Sequence, residues 1–173
     1  MTTPTHLGTG TTPDSRAFRD AMGRFATGVT VITTRTESGI RGMTANGFMS
    51  VSLDPALVLV SLGDCAMAGH LEQGDRYGVT LLAANQEATS KHFGGRRQPG
   101  LDIEFAEYGQ HVFVPGGLAE IGCRIVDRHR AGDHTLYIGE VEHLEYRDGA
   151  PLLFYTGGYR ALNVGLSDDL FFC

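Results

Sequence analysis

Apolar and polar residues change period several times along the chain, and each change marks an element. Phe18, Ala21, Met22 and Phe25 recur at helical spacing after Asp14 and Ser15, either of which can cap a helix, and Gly28 is placed to close it. The next residues, Val29 to Thr34, are β-branched throughout and predict a strand; Ser38-Gly39 supplies a turn, and a second extended stretch runs from Arg41 to Val51. Leu57 to Leu62 and Tyr77 to Leu82 read as buried strands, with a brief helix around Leu71 between them. Asn85 is a candidate cap for a helix reaching Phe93 and ended by Gly94-Gly95. Residues Arg96 to Gly109 hold no steady period and predict a surface loop. Farther on, Ala119, Ile121, Cys123 and Ile125 alternate with Glu120, Gly122 and Arg124, the signature of a half-buried strand. Leu136 to Tyr146 continue the strand pattern after a turn at Gly132-Asp133.

The connections between these strands are too short for repeated crossover helices, so the pattern predicts a mainly β fold with short helices: an antiparallel barrel. Composition fits one such domain. With 173 residues, 42% of them hydrophobic, the chain can bury a core without disulfides or structural metal. Residues 1–14 and 164–173 are expected to be tails around a domain spanning 15–163, and the N-terminal stretch lacks the basic and apolar regions of a signal peptide. A net charge of −6 with no basic run longer than Arg96-Arg97 argues against nucleic acid or an anionic membrane as partner. Cys65, Cys123 and Cys173 make no CxxC pair and no closed disulfide set, which points to a reducing cytoplasm.

The sequence has no GxSxG, HExxH, Walker or GxGxxG motif. Candidate chemistry instead falls in four segments. Gly42 to Ser52 place small residues and hydroxyls where a strand is predicted, which lets a planar ligand approach the backbone, although an edge strand facing solvent gives the same pattern. Ser61 to Ala68 run from a strand end into a helix start, a natural phosphate site, where Asp64 reads more simply as the helix cap. Ser90 to Phe93 bring a hydroxyl, a cation and an aromatic ring into one helical turn. His134 sits at a turn before a strand; pairing it with His129 or His143 gives no recognisable metal-ligand spacing, so no metal is expected.

Together these segments resemble the flavin reductase domain family, whose members supply reduced flavin to partner monooxygenases and halogenases. The resemblance runs from Phe18 to about Tyr159. It rests on Phe25 to Thr33, Gly42 to Asn46, Ser50 to Pro55, Leu57 to Val60, Gly132-Asp133-His134, Gly139-Glu140-Val141 and Pro151 to Tyr155, in that order. It implies a split β-barrel acting as a homodimer, with FMN or FAD as the flavin and NADH, or NADPH, as the reductant. It implies that Met43, Thr44, Ala45 and Asn46 meet the flavin ring, that Ser50, Val51, Ser52, Ser61 and Leu62 line the ring and ribityl chain, and that the loop with Gly63 and Ala66 takes the phosphate. Lys91 and Phe93 would flank the flavin, His134 would orient the nicotinamide and Tyr155 would close the pocket.

The phosphate loop, Gly63 to Ala68, has no hydroxyl and no basic residue, which fits a flavin that comes and goes as a substrate. The absence of an arginine pair near His134 leans toward NADH. A flavin-binding barrel without reductase activity, serving as sensor or store, is the rival expectation.

Overall fold

The computed structural model describes residue 12 and residues 14–162, so most of the two expected tails, with Phe171-Phe172-Cys173, lies outside the described residues. Helix α1, Ser15–Met22, starts as expected: the Asp14 carboxylate accepts from the amides of Arg16 and Ala17 at 2.9 and 2.8 Å. It stops at Gly23, well before Gly28, which belongs instead to β1 (Thr27–Gly28). The apolar face of α1 is not in the core. Phe18 and Met22 remain 55% exposed and the following Phe25 76%.

Strands β2 (Thr30–Thr36) and β3 (Gly39–Ala45) form the predicted hairpin. The stretch expected to run unbroken to Val51 is interrupted at Asn46-Gly47, and β4 (Phe48–Leu53) follows. Next come β5 (Ala56–Gly63), helix α2 (Ala66–Gln73) and β6 (Arg76–Leu81). A short 3-10 turn at Ala84–Gln86 leads into α3 (Glu87–Phe93); the Gln86 side chain, not Asn85, caps this entry by accepting from the Ala83 amide at 2.9 Å. The expected loop ends in a strand, β7 (Ala106–Tyr108), which pairs with β8 (His111–Phe113). The long β9 (Ala119–Ala131) and β10 (His134–Tyr146) turn at Gly132-Asp133, and Gly132 takes the positive φ of 64° that the turn requires. A last hairpin joins β11 (Leu153–Tyr155) to β12 (Gly158–Arg160).

Seven of these strands form one antiparallel sheet in the order β3-β2-β6-β9-β10-β5-β4. The sheet is open, since among the described residues no ladder joins its edge strands β3 and β4; the expected barrel is not closed by hydrogen bonds. Yet β3 and β4 are consecutive in sequence and connected only by Asn46-Gly47. Six inter-strand gaps would separate flat edges by about 29 Å, whereas the connection reaches about 10 Å, so the sheet curls until its edges meet at this end. A hydrogen bond from the Ser61 amide to the Gly47 carbonyl, 2.8 Å, pins the junction.

The curl encloses the main core, built on Ile32, Val60, Leu62, Leu71, Tyr77, Val79, Cys123 and Tyr137. A second cluster of Val29, Val31, Leu82, Val114 and Leu152 lies between the sheet and the β11–β12 hairpin, with Phe93, Phe154 and Tyr159 packed against it. Helix α2 is tied to the sheet from below by Tyr137, whose hydroxyl donates to the Ala68 carbonyl and the Glu72 carboxylate at 3.1 and 2.9 Å. Arg128 completes the attachment by donating to the carbonyls of Leu71 and Gly74 at the end of the helix.

Candidate functional site

The edge junction gathers the first predicted segment. A cavity of about 200 Å³ is lined by Val29, Thr44, Ala45, Asn46, Ser90, Gly94, Phe154 and Tyr159. Thr44 donates its hydroxyl to the Ser90 carbonyl at 2.7 Å, and the Ser90 hydroxyl shares a 2.8 Å hydrogen bond with the Tyr159 hydroxyl. Ser90 is fully buried, so this chain of hydroxyls fixes α3 against β3 and β12. Phe93 packs closely on Gly42, where an added Cβ would come within 2.6 Å of its ring. Lys91 is held by Glu87 at 2.5 Å, with its ammonium 5.8 Å from the centre of the Tyr159 ring. Asn46 is exposed and its side chain has no hydrogen-bond partner among the described residues, which leaves an amide donor and acceptor open to a ligand.

Met43 links this region to the next. Its sulfur accepts from the Cys65 thiol at 3.6 Å, joining the end of β3 to the start of α2. Asp64 does not cap α2: the cap position is Cys65, whose side chain makes no capping bond, so the first amides of the helix are uncovered. The competition between a carboxylate cap and an anion, raised by the sequence, is thereby removed, and Gly63 and Ala66 border an N-terminus fit for a phosphate. The cations that the loop lacks arrive from another strand. A second cavity of about 480 Å³ is lined by Asp64, Cys65, Ala68, Gly69, Glu72, Arg128, Arg130, Thr135 and Tyr137. Arg128 is committed to the carbonyls of α2, and Arg130 gives its Nε to Gly132 at 2.9 Å. An arginine pair therefore does stand beside the β9–β10 turn, contrary to the expectation. A tight turn at Gly132-Asp133 sets Arg130 opposite Thr135, so pairing the strands outward from that turn is the signal that would have found it.

His134 is the Cα partner of Gly63 across the β5–β10 ladder. Asp133 binds its Nδ1 at 2.8 Å; that bond, first among its causes, holds the Asp133 carboxyl below the ordinary carboxylate range. The ring is thus oriented with Nε2 directed away from Asp133.

Several of the expected site residues lie away from the small cavity. Leu62 is 1% exposed, so its side chain fills the core. Ser50 and Val51 are exposed on the outer edge strand β4, where Val51 forms a bulge, and Ser52 is half-buried beside them. Ser61 stands at the Gly47 junction. The structure does not bring Tyr155 to the cavity; its strand neighbour Phe154 and Tyr159 form the wall instead, with their rings 5.6 Å apart. Alternation along β11 puts Phe154 and Tyr155 on opposite faces.

The described geometry combines a small-residue strand end, open polar groups, aromatic walls and an uncapped helix N-terminus, and these residues fit a flavin mononucleotide unit. The comparisons identify the family. Residues 22–163 match the family described as flavin reductase like domain, and the chain belongs to it. An NADH-dependent flavin reductase from Rhodococcus sp. is 45% identical over 151 residues, covering 85% of this chain and 86% of the relative. The reductase component of 4-hydroxyphenylacetate 3-monooxygenase from Thermus thermophilus is 40% identical over 148 residues, covering 84% of this chain and 95% of its own length. Among solved structures, flavin reductase PheA2 in its native state superposes with a TM-score of 0.85 at 46% identity, covering 88% of this chain and all of that one.

Proposed function

We propose that this chain is an NADH-dependent flavin reductase that reduces FMN or FAD and releases it to a flavin-dependent monooxygenase or halogenase. The observation that carries the reading is the near full-length similarity to the Rhodococcus reductase, together with a family match over residues 22–163 that spans the candidate site segments. The similarity to a monooxygenase reductase component supports a partner served by diffusing reduced flavin.

Bound flavin would supply the hydride-accepting ring, and the protein's task is then one of placement. Ala45 and Asn46, at the end of β3, would meet the ring, with Thr44 held in position by its bond to the Ser90 carbonyl. Backbone amides at this strand end and the Asn46 amide would stabilise charge that develops on the ring as hydride arrives. The uncapped α2 N-terminus at Ala66 would hold the phosphate. His134, oriented by Asp133, would direct its Nε2 to the nicotinamide carboxamide. Ser50, Val51 and Ser52 lie on the exposed edge strand, a position that serves a ligand shared between two subunits. Met49, Val51 and Leu53 on that strand are 56%, 47% and 96% exposed, which supports a homodimer built over it. The curl that joins the sheet edges supports a split barrel. None of the described helices is long and apolar enough to cross a membrane. We place the protein in the cytoplasm, where Cys65 and Cys123, both free, would stay reduced.

Mixing purified protein with NADH or NADPH and added FMN or FAD, and following loss of the reduced-nicotinamide absorbance, tests the reading. Flavin-dependent oxidation that is faster with NADH is the expected result. Flavin binding without oxidation would instead leave a binding module.

A further inference from the structure

A second set of side chains converges at the opposite end of β9 and β10. His143 and Glu145 are two positions apart on β10 and leave the same face of the strand. Glu120 on β9 is the direct cross-strand partner of Glu145. One ligand atom from each of the three lies within 4.8 Å of the others. Two carboxylates placed opposite each other in an antiparallel ladder repel, and Glu120 is half-buried as well. The charge of the nearby Arg147 relieves this only in part. Among the described residues Glu120, His143 and Glu145 have no hydrogen bond or ion pair, whereas Glu140 and Glu142 on the same strand are paired with Arg124 and Arg76. Arg147 is near, but its Nε is taken by the Gly117 carbonyl at 2.6 Å. The imidazole is also held ready: Tyr108 stacks on it with ring centres 4.0 Å apart, and Phe113 backs it at 5.4 Å.

We propose that Glu120, His143 and Glu145 form a binding site for a divalent transition-metal ion, with zinc the best-matched occupant. One imidazole nitrogen and two carboxylates from one face supply three ligands and leave the remaining positions to water. Metal bonds of about 2.0–2.2 Å require the donors to close by only an ångström or so through side-chain rotation. A bound ion replaces carboxylate repulsion with attraction and clamps β9 to β10. Through Tyr108 it also fastens the β7–β8 hairpin. The site lies about 35 Å along β10 from His134, so its effect is on stability and does not depend on the flavin chemistry.

Calorimetric titration of zinc chloride into metal-stripped full-length protein, together with thermal unfolding with and without zinc, tests the proposal. One site per chain and a higher Tm with zinc are expected, with affinity falling about tenfold or more in both Glu120→Gln and His143→Ala. Both variants should retain flavin reduction. Glu120→Gln keeps the packing intact, so it remains informative if His143→Ala disturbs the Tyr108 stack. Absence of saturable binding to the wild type, or equal binding by wild type and Glu120→Gln, overturns the site.

Discussion

The ring of His134 lies over the backbone of Gly63, its Cε1 and Nε2 both 3.5 Å from the point where a side chain at Gly63 would begin. Asp133 holds the other nitrogen. The imidazole therefore borders the strand end that leads into α2, with one nitrogen directed and the other available. If it orients the nicotinamide, His134→Ala raises the KM for NADH and lowers kcat by about tenfold each, with the KM for flavin little changed. Steady-state kinetics with NADH varied at saturating FMN read this directly; unchanged values for both constants would remove His134 from the mechanism.

Gly42 and Phe93 give a second test. A methyl group at Gly42 would sit 2.6 Å from the Phe93 ring, so Gly42→Ala displaces that ring, which packs against the second core cluster beside the cavity. Overpacking of this kind costs about 1–3 kcal/mol. The urea midpoint should drop accordingly, and the KM for flavin should rise more than that for NADH.

Tyr159 is the only side-chain partner of the fully buried Ser90 hydroxyl among the described residues. Tyr159→Phe removes that bond while keeping the ring and its packing against Phe154. A loss of about 1 kcal/mol in denaturant unfolding is expected. Weaker flavin binding, followed by quenching of flavin fluorescence, should accompany it because α3 is less firmly placed.

Alkaline pH should unfold the protein earlier than carboxylate chemistry alone would predict. Burial pushes the Cys123 thiol from its ordinary 9.0 up to about 12, and burial with a hydrogen bond to Glu72 pushes the Tyr137 hydroxyl from 10.0 to about 12. Both groups keep their protons in the folded state over a range where the unfolded chain gives them up. The unfolded state then binds fewer protons, so stability is fully present below about pH 9 and falls as pH rises toward 12. Urea midpoints at pH 8 and pH 10.5 check the sign, and an equal midpoint at the two would contradict it.

Much of the fold was legible because its signals are local. Asp14 marks the start of α1 through a capping bond made within three residues, and the alternation around Ile121 and Cys123 records a strand with one face in the core. Errors came where local signals compete. Gly23 and Gly28 are equally good helix terminators, and only the pairing of Gly28 with Leu153 in β1 decides between them. Asp64 and Cys65 both precede α2, and the turn of the chain there leaves the carboxylate off the helix end.

By itself the sequence determined the mainly β class, the short helices and the turn that presents His134, since each depends on residues close together in the chain. Only tertiary structure could decide that Asn46-Gly47 joins the two edges of one curled sheet, that Phe154 and not Tyr155 faces the cavity and that Glu120 meets His143 and Glu145. These contacts depend on strand order and register, which are fixed by how the whole sheet buries its core and not by any one stretch of sequence.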